Sequence, residues 1–374
     1  MKRLVLVGGG HAHLSVLEKL TRDSLSDVEV LLVTPSRYQN YSGMLPGWIA
    51  GHYSREQSRI DLMALVNNAG VKLVSGAVTG MSAQSRTLRL ADGQRVDYDY
   101  LSLDIGSETQ TDGLEALGMR LLAVKPLDTF FDRWPEVLNQ AIRRDNYALV
   151  VVGGGAAGVE LALAAQYALK QSGAMGQVTL VVSAEGLLKG HSEGVRKRVL
   201  VHIRQAGIVL HQQTASGAVD GLQFADGHRL YADQVIAATG AKPLSWLTQS
   251  GLALNEQGYI LVDANQRSPS HHEVFAVGDT CARTDVRMAR SGVHAVKAGP
   301  VLANNLFAVI KGSSTVSTEL DTYEPRTHSL YLLACGPKYA IASWGPISFE
   351  GLWVWRLKDW IDRGFIKRFS PKKS

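Results

Sequence analysis

Cysteine is almost missing: Cys281 and Cys335 are the only two in 374 residues, and they form no CxxC pair. That excludes a disulfide scaffold and a local redox disulfide, and both thiols read as buried or incidental groups of a reducing compartment. Long apolar runs are missing as well, since nothing approaches the roughly 18–20 residues of a bilayer span. Met1-Lys2-Arg3 has the charge of a signal-peptide start, but the apolar run behind it stops at the glycines without a cleavage-like end. The expected location is therefore cytoplasmic, and no metal site is expected. Charge is scarce over most of the chain. The formal net charge is +5, yet Glu350 to Ser374 alone holds seven Lys/Arg against three Asp/Glu, so the rest is nearly neutral. A nucleic-acid footprint needs a basic body, so nucleic acid is excluded as a partner. With 45% hydrophobic residues, 20% charged residues and 37 glycines, the composition is that of an α/β protein long enough for two domains.

What is present begins at Leu4-Val5-Leu6-Val7-Gly8-Gly9-Gly10-His11-Ala12-His13-Leu14. Four apolar residues run into three glycines, and Leu14, Leu17 and Leu20 then follow a helical period. This is a buried parallel strand turning sharply into a helix, where bare N–H groups and a helix N-terminus suit a pyrophosphate. Gly8-x-Gly10 fits the dinucleotide fingerprint, but His13 stands where its third glycine belongs. A second strand, Val28 to Val33, ends without the usual ribose-binding acid, and Thr34 takes that place with a hydroxyl. The loop Tyr38 to Gly47 has glycines and aromatics suited to a flat ring system. At Ala148 to Glu160 the opening pattern returns intact, with Gly153 for the turn, Gly155 for phosphate approach and Gly158 for helix–strand packing. Each copy closes on a glycine turn, Asp104-Ile105-Gly106 and Ala238-Thr239-Gly240. An internal repeat of this kind implies two nucleotides held near each other, for which hydride transfer between a nicotinamide and a flavin is the obvious chemistry. Val274 to Asp279 adds a further strand ending in glycine and an acid, and Ala289 to Leu306 is expected to form a helix whose N-terminus favours an anion.

These motifs, in this order across residues 4–306, resemble the two-dinucleotide-domain flavoproteins of the pyridine nucleotide-disulfide oxidoreductase superfamily. The missing CxxC and the basic aromatic tail make the chain similar to type II NADH:quinone dehydrogenases and sulfide:quinone oxidoreductases. Gly8 to His13, Tyr41 to Gly47 and Leu103 to Gly106 resemble a branch found alone or fused to selenophosphate synthetase. The resemblance implies an α/β fold with two Rossmann-like domains, the second inserted into the first. FAD would occupy residues 1–122 and 247–315, NAD(P)H residues 123–246, and a C-terminal α+β segment with an amphipathic helix residues 316–374. It also implies that Gly8, Gly9, Gly10, His11 and Ala12 line the FAD pyrophosphate. Thr34 would meet the ribose, Val78 the adenine, and Gly106, Gly278 and Asp279 the remainder of the cofactor. Gly153, Gly155, Gly158 and Gly240 would hold NAD(P)H. Glu160 falls near the flavin–nicotinamide stack, and His294 and Lys297 near the flavin ring and the quinone mouth; a structural role for each stays open. Val182, followed by Ser183, Ala184 and Glu185, supports neither NADH nor NADPH preference.

In the tail, Trp353, Leu357, Trp360, Ile361 and Phe365 fall on one helical face, with Arg356, Lys358, Arg363, Lys367 and Arg368 mostly away from it. Residues 350–374 are expected either to lie on the inner face of a membrane or to dock on the body or a second subunit. The expected activity passes hydride from NAD(P)H to FAD and electrons to a quinone or another small acceptor. The alternatives are selenium or sulfur chemistry alongside selenophosphate synthetase, and a flavin-binding partner without nicotinamide turnover.

Overall fold

The computed structural model describes residues 1–288, 290, 292–312, 319–326 and 329–370. Two five-stranded parallel sheets carry the repeat. In the first, Lys2–Val7 lies at the centre. Val28–Thr34 and then Lys72–Ser75 stand on one side, with Tyr100–Leu103 and then Val274–Ala276 on the other. In the second, Ala148–Val152 is central, flanked by Gln177–Val182 and Val209–Gln212, and by Gln234–Ala237 and Leu121–Ala123. Each glycine turn therefore leaves the central strand beside the strand that leads to its closing glycine, at the carboxyl edge where nucleotides bind. A three-stranded antiparallel ribbon recurs as well, over Val78–Asp97 in one unit and Ala215–Tyr231 in the other. The units are joined through the short antiparallel pairing of Glu108–Thr109 with Ala241–Lys242.

Both central strands are apolar because both faces are covered. Leu4, Leu6, Val5 and Val7 are buried, and the helix His11–Arg22 packs on the helix Gly292–Lys311. Gly299 permits that approach, since a side chain there would press on the Ala12 carbonyl and the Ser15 side chain. Contrary to the expectation of no such run, Gly292–Lys311 is long and apolar enough to cross a membrane, but it buries Leu302, Ala303 and Leu306 in the first core. Its expected start at Ala289 and Ser291 lies outside the described residues. The helix Leu127–Arg143 buries Phe130, Phe131, Trp134 and Val137, whereas Ile142 points to solvent.

The C-terminal segment is an antiparallel sheet, Tyr331–Ala334, Ala340–Trp344 and Ile347–Gly351, followed by the helix Leu352–Phe369. The tail reading needs correction here. The helix buries Val354, Trp355, Asp362 and Phe369, with Lys358 and Phe365 on the same side, whereas Trp353, Trp360 and Ile361 are exposed. Lys358, expected away from the packed face, lies on it together with Asp362. They neutralise each other at 2.7 Å and can therefore be buried together.

Candidate functional site

Gly8 takes φ +89°, and a side chain at Gly8 or Gly10 would run into Asp104. The space they leave is occupied by the Asp104 carboxylate, which accepts the backbone N–H groups of Ala12 (2.8 Å) and His13 (3.1 Å). These are donors of the first helical turn with no partner inside the helix. Asp104 is buried, and burial pushes its carboxyl up to about 6, opposed by those N–H groups and by His11. Sequence reasoning named Asp104 only as part of a motif. The available signal was its counterpart in the intact copy, Ala238.

His13, in place of the third glycine, tucks its imidazole between helix and strand. Its ring lies in the core, with Nδ1 2.6 Å from the Gly8 carbonyl and Nε2 2.8 Å from Ser102 Oγ. The carbonyl only accepts, so Nδ1 carries the proton and Nε2 accepts from the serine hydroxyl. Burial lowers this imidazole to about 4, so it is a neutral cross-brace between strand and helix. His11 lies nearer the cleft, its ring 5.5 Å from Tyr41 and 5.6 Å from Phe365 of the C-terminal helix. Its Nε2 is buried without a partner among the described residues, as is Asp279 Oδ1. The other Asp279 oxygen accepts from Lys125 Nζ at 2.7 Å, and Lys125 also donates to Ser107 Oγ at 3.0 Å. Gly278, at φ +74°, faces Asp104. Gly8, Gly9, Gly10, His11, Ala12, Gly278 and Asp279 thus converge around Asp104, and Lys125 joins them from the far side of the domain joint. Thr34 ends the neighbouring strand, but its hydroxyl is tied to the Ser36 backbone. Val78 opens the antiparallel ribbon, and Gly106, at φ +68°, closes the unit.

The second turn has the same frame and no plug. A side chain at Gly153 would strike the Ala238 carbonyl, and one at Gly158 the Gly153 carbonyl, but among the described residues nothing lies within 4 Å of the space beside Gly155. Gly240 pairs through its carbonyl with Gln110 N. One turn along this helix, Glu160 accepts the Ala334 N–H at 2.8 Å, and burial pushes its carboxyl up to about 7 against the pull of Lys358. Lys358 in turn donates to the Gly43 carbonyl at 2.6 Å. The C-terminal helix therefore meets the first unit through Phe365 beside His11 and Lys358 at the Gly43 carbonyl, and the Lys358 charge acts on Glu160 of the second. His294, buried in the 292–311 helix, holds Nδ1 2.8 Å from the Tyr323 hydroxyl, and burial lowers its pKa. Lys297 lies exposed one turn on.

Two orphaned polar atoms and a helix N-terminus at the first turn suit a resident dinucleotide. The unplugged second turn suits another. The fold and site define a flavoprotein with two dinucleotide-binding units. The chain belongs to the pyridine nucleotide-disulphide oxidoreductase family, whose model matches residues 2–299. Its cofactors are accordingly FAD and NAD(P)H. An NADH dehydrogenase-like protein, YutJ of Bacillus subtilis, is 22% identical over 75% of this chain and 77% of its own. A type II NADH:quinone oxidoreductase of Haemophilus influenzae is 23% identical over 75% and 74%. The solved sulfide:quinone oxidoreductase of Aquifex aeolicus shares the fold at a TM-score of 0.78 and 17% identity, over 99% of this chain and 91% of that one. The chain is an oxidoreductase of the electron-transfer kind.

Proposed function

We propose that the protein oxidises NAD(P)H and delivers the electrons to a quinone-type acceptor, with residues 1–122 and 247–315 holding FAD and 123–246 holding NAD(P)H. The observation that carries this is the paired glycine turns, one with a fixed set of polar atoms and one left open. FAD, when bound, supplies the step between a hydride donor and an electron acceptor. Gly8 to Ala12 would back the pyrophosphate, Thr34 and Val78 the adenosine, and Gly106, Gly278 and Asp279 the rest of the cofactor. Gly153, Gly155, Gly158 and Gly240 would take NAD(P)H. Glu160, buried and raised to about 7, would hold or release a proton near neutrality, and His294 and Lys297 would line the acceptor end. Both cysteines are buried, and burial raises the thiol of each, that of Cys281 to about 12, which is unsuited to a thiolate relay.

The exposed side chains Trp344, Phe349, Trp353 and Trp360, with Arg356 and Arg363 nearby in sequence, favour a peripheral membrane contact on the inner face. The test is an anaerobic titration of the purified protein. NADH or NADPH should bleach the flavin spectrum, and a quinone analogue should restore it. Bound flavin that neither nucleotide reduces would overturn this reading. It would favour a partner of selenophosphate synthetase, or a flavin-binding protein without nicotinamide turnover.

A further inference from the structure

A cavity of about 890 Å³ opens where five segments meet. These are the loop before the helix Glu193–Ala206, the stretch that follows Asp279, the first turn of the 292–311 helix, residues 322–326, and the C-terminal sheet. It touches none of the glycine-turn residues, so it is distinct from the pyrophosphate sites. Its charged lining is lopsided, with Lys189, Arg283, Arg287 and Arg326 set against Asp285 and Glu324. Arg283 is neutralised by a two-pronged pair with Asp285, at 2.9 and 2.8 Å, and fixed to the Tyr323 carbonyl at 2.7 Å. Lys189 turns toward Glu185 on the rim. Arg287 and Arg326 remain exposed around the opening. Cations crowd this end: the Lys297 ammonium, though exposed, is lowered by partial desolvation and then by Arg326. The Tyr323 hydroxyl bonded to His294 Nδ1 carries that ring into the lining. A cavity built for a neutral lipid quinone would be walled by apolar side chains; this one presents excess positive charge.

We propose that this cavity receives the electron acceptor and selects one carrying negative charge, such as a quinone bearing a carboxylate or sulfonate rather than a lipid tail. The proposal rests on the acceptor reading above. The net reaction is NAD(P)H plus a proton plus the quinone giving NAD(P)⁺ and the hydroquinone. Two electrons and two protons convert two carbonyls to hydroxyls, and the anionic substituent is unchanged. The Arg287 and Arg326 charges act on encounter and orientation, so their effect is screened by salt.

The test uses the flavin-loaded protein reduced with dithionite, so the outcome does not depend on nicotinamide. Reoxidation is followed by stopped flow with 1,2-naphthoquinone-4-sulfonate and with neutral 1,2-naphthoquinone. The ratio of the two rate constants within each protein cancels changes in flavin content or potential. At low salt that ratio should exceed its value in Arg287→Gln/Arg326→Gln by about tenfold, and it should collapse toward the variant's value at about 0.5 M salt. Naphthalene-1-sulfonate, which is not reducible, should bind the oxidised wild type in calorimetry and bind the variant at least several-fold more weakly. A ratio unchanged by the substitutions and by salt overturns the proposal, as does equal sulfonate binding by both proteins. If dithionite-reduced protein shows the charge effect while NADH and NADPH fail to reduce it, the cavity assignment stands and the dehydrogenase reading falls.

Discussion

Replacing Asp104 by Asn gives the sharpest test of the first turn. The amide keeps the size of the carboxyl and an oxygen for the Ala12 and His13 N–H groups, and it deletes only the charge. The wild-type carboxyl, moved from an ordinary 3.8 to about 6, costs the folded apoprotein about 3 kcal/mol once ionised. The sign follows from proton uptake. Between those two values the folded chain holds the proton and the unfolded chain has lost it, so stability is full below pH 3.8 and falls until the pH passes about 6. Asp104→Asn mimics the protonated form at every pH. Urea denaturation of the flavin-free proteins should therefore show the variant more stable by up to about 3 kcal/mol at pH 7.5, with the gap closing toward pH 4. An incoming pyrophosphate also meets less negative charge in the variant. Flavin titration should show affinity that rises on acidification in the wild type and stays flat in the variant. A variant destabilised by more than about 1 kcal/mol at pH 7.5, with no dependence of the difference on pH, would refute the reasoning. Asp104 would then be an anchoring anion of the helix rather than a buried charge held against its preference.

His13→Ala should cost about 3 kcal/mol in denaturation midpoint analysis, because it opens a cavity and leaves the Gly8 carbonyl and Ser102 hydroxyl without their partner; a change below about 0.5 kcal/mol would show the brace to be ornamental. Lys125→Met should weaken FAD retention about tenfold by fluorescence titration, with Lys125→Arg recovering part of it, since Asp279 loses the ammonium that orients it. Glu160→Gln should remove a step near pH 7 from the rate of flavin reduction by NADH: the wild-type rate falls as the carboxyl ionises above that pH, and the variant keeps the acid-side rate. Trp353→Ser/Trp360→Ser should abolish flotation with anionic liposomes while leaving the flavin spectrum intact; flotation that persists, or a change in sedimentation without lipid, would point instead to contact between subunits.

The glycine turns were legible because they are local. Gly8, Gly153 and Gly158 answer to backbone approach within one strand–turn–helix, and the spacing alone carries that requirement. Asp104 and Lys125 were not, because their roles arise from partners 92 and 154 residues away, and no local pattern distinguishes them from a strand-end acid and a loop lysine. His13 was legible as a departure from the fingerprint, but its bond to Ser102 depends on which strand lies next in the sheet. The tail shows how hydrophobicity alone misleads. Five apolar residues at helical spacing marked one face, whereas packing chose the face of Val354, Trp355 and Phe369, where Lys358 and Asp362 also sit.

Phe365 and Lys358 reach His11 and the Gly43 carbonyl from a helix that leaves the ribosome after both dinucleotide units have been made. During synthesis the first unit therefore emerges with this side of its cleft uncovered, and the covering helix docks only once residues 352–369 are available. A dinucleotide entering before that moment meets an open groove, and one entering later must pass an aromatic contact and a buried ion pair. Cofactor loading is thus expected to be faster on the nascent chain than on the finished one. Exchange of flavin into completed protein should accordingly be limited by release of the C-terminal helix.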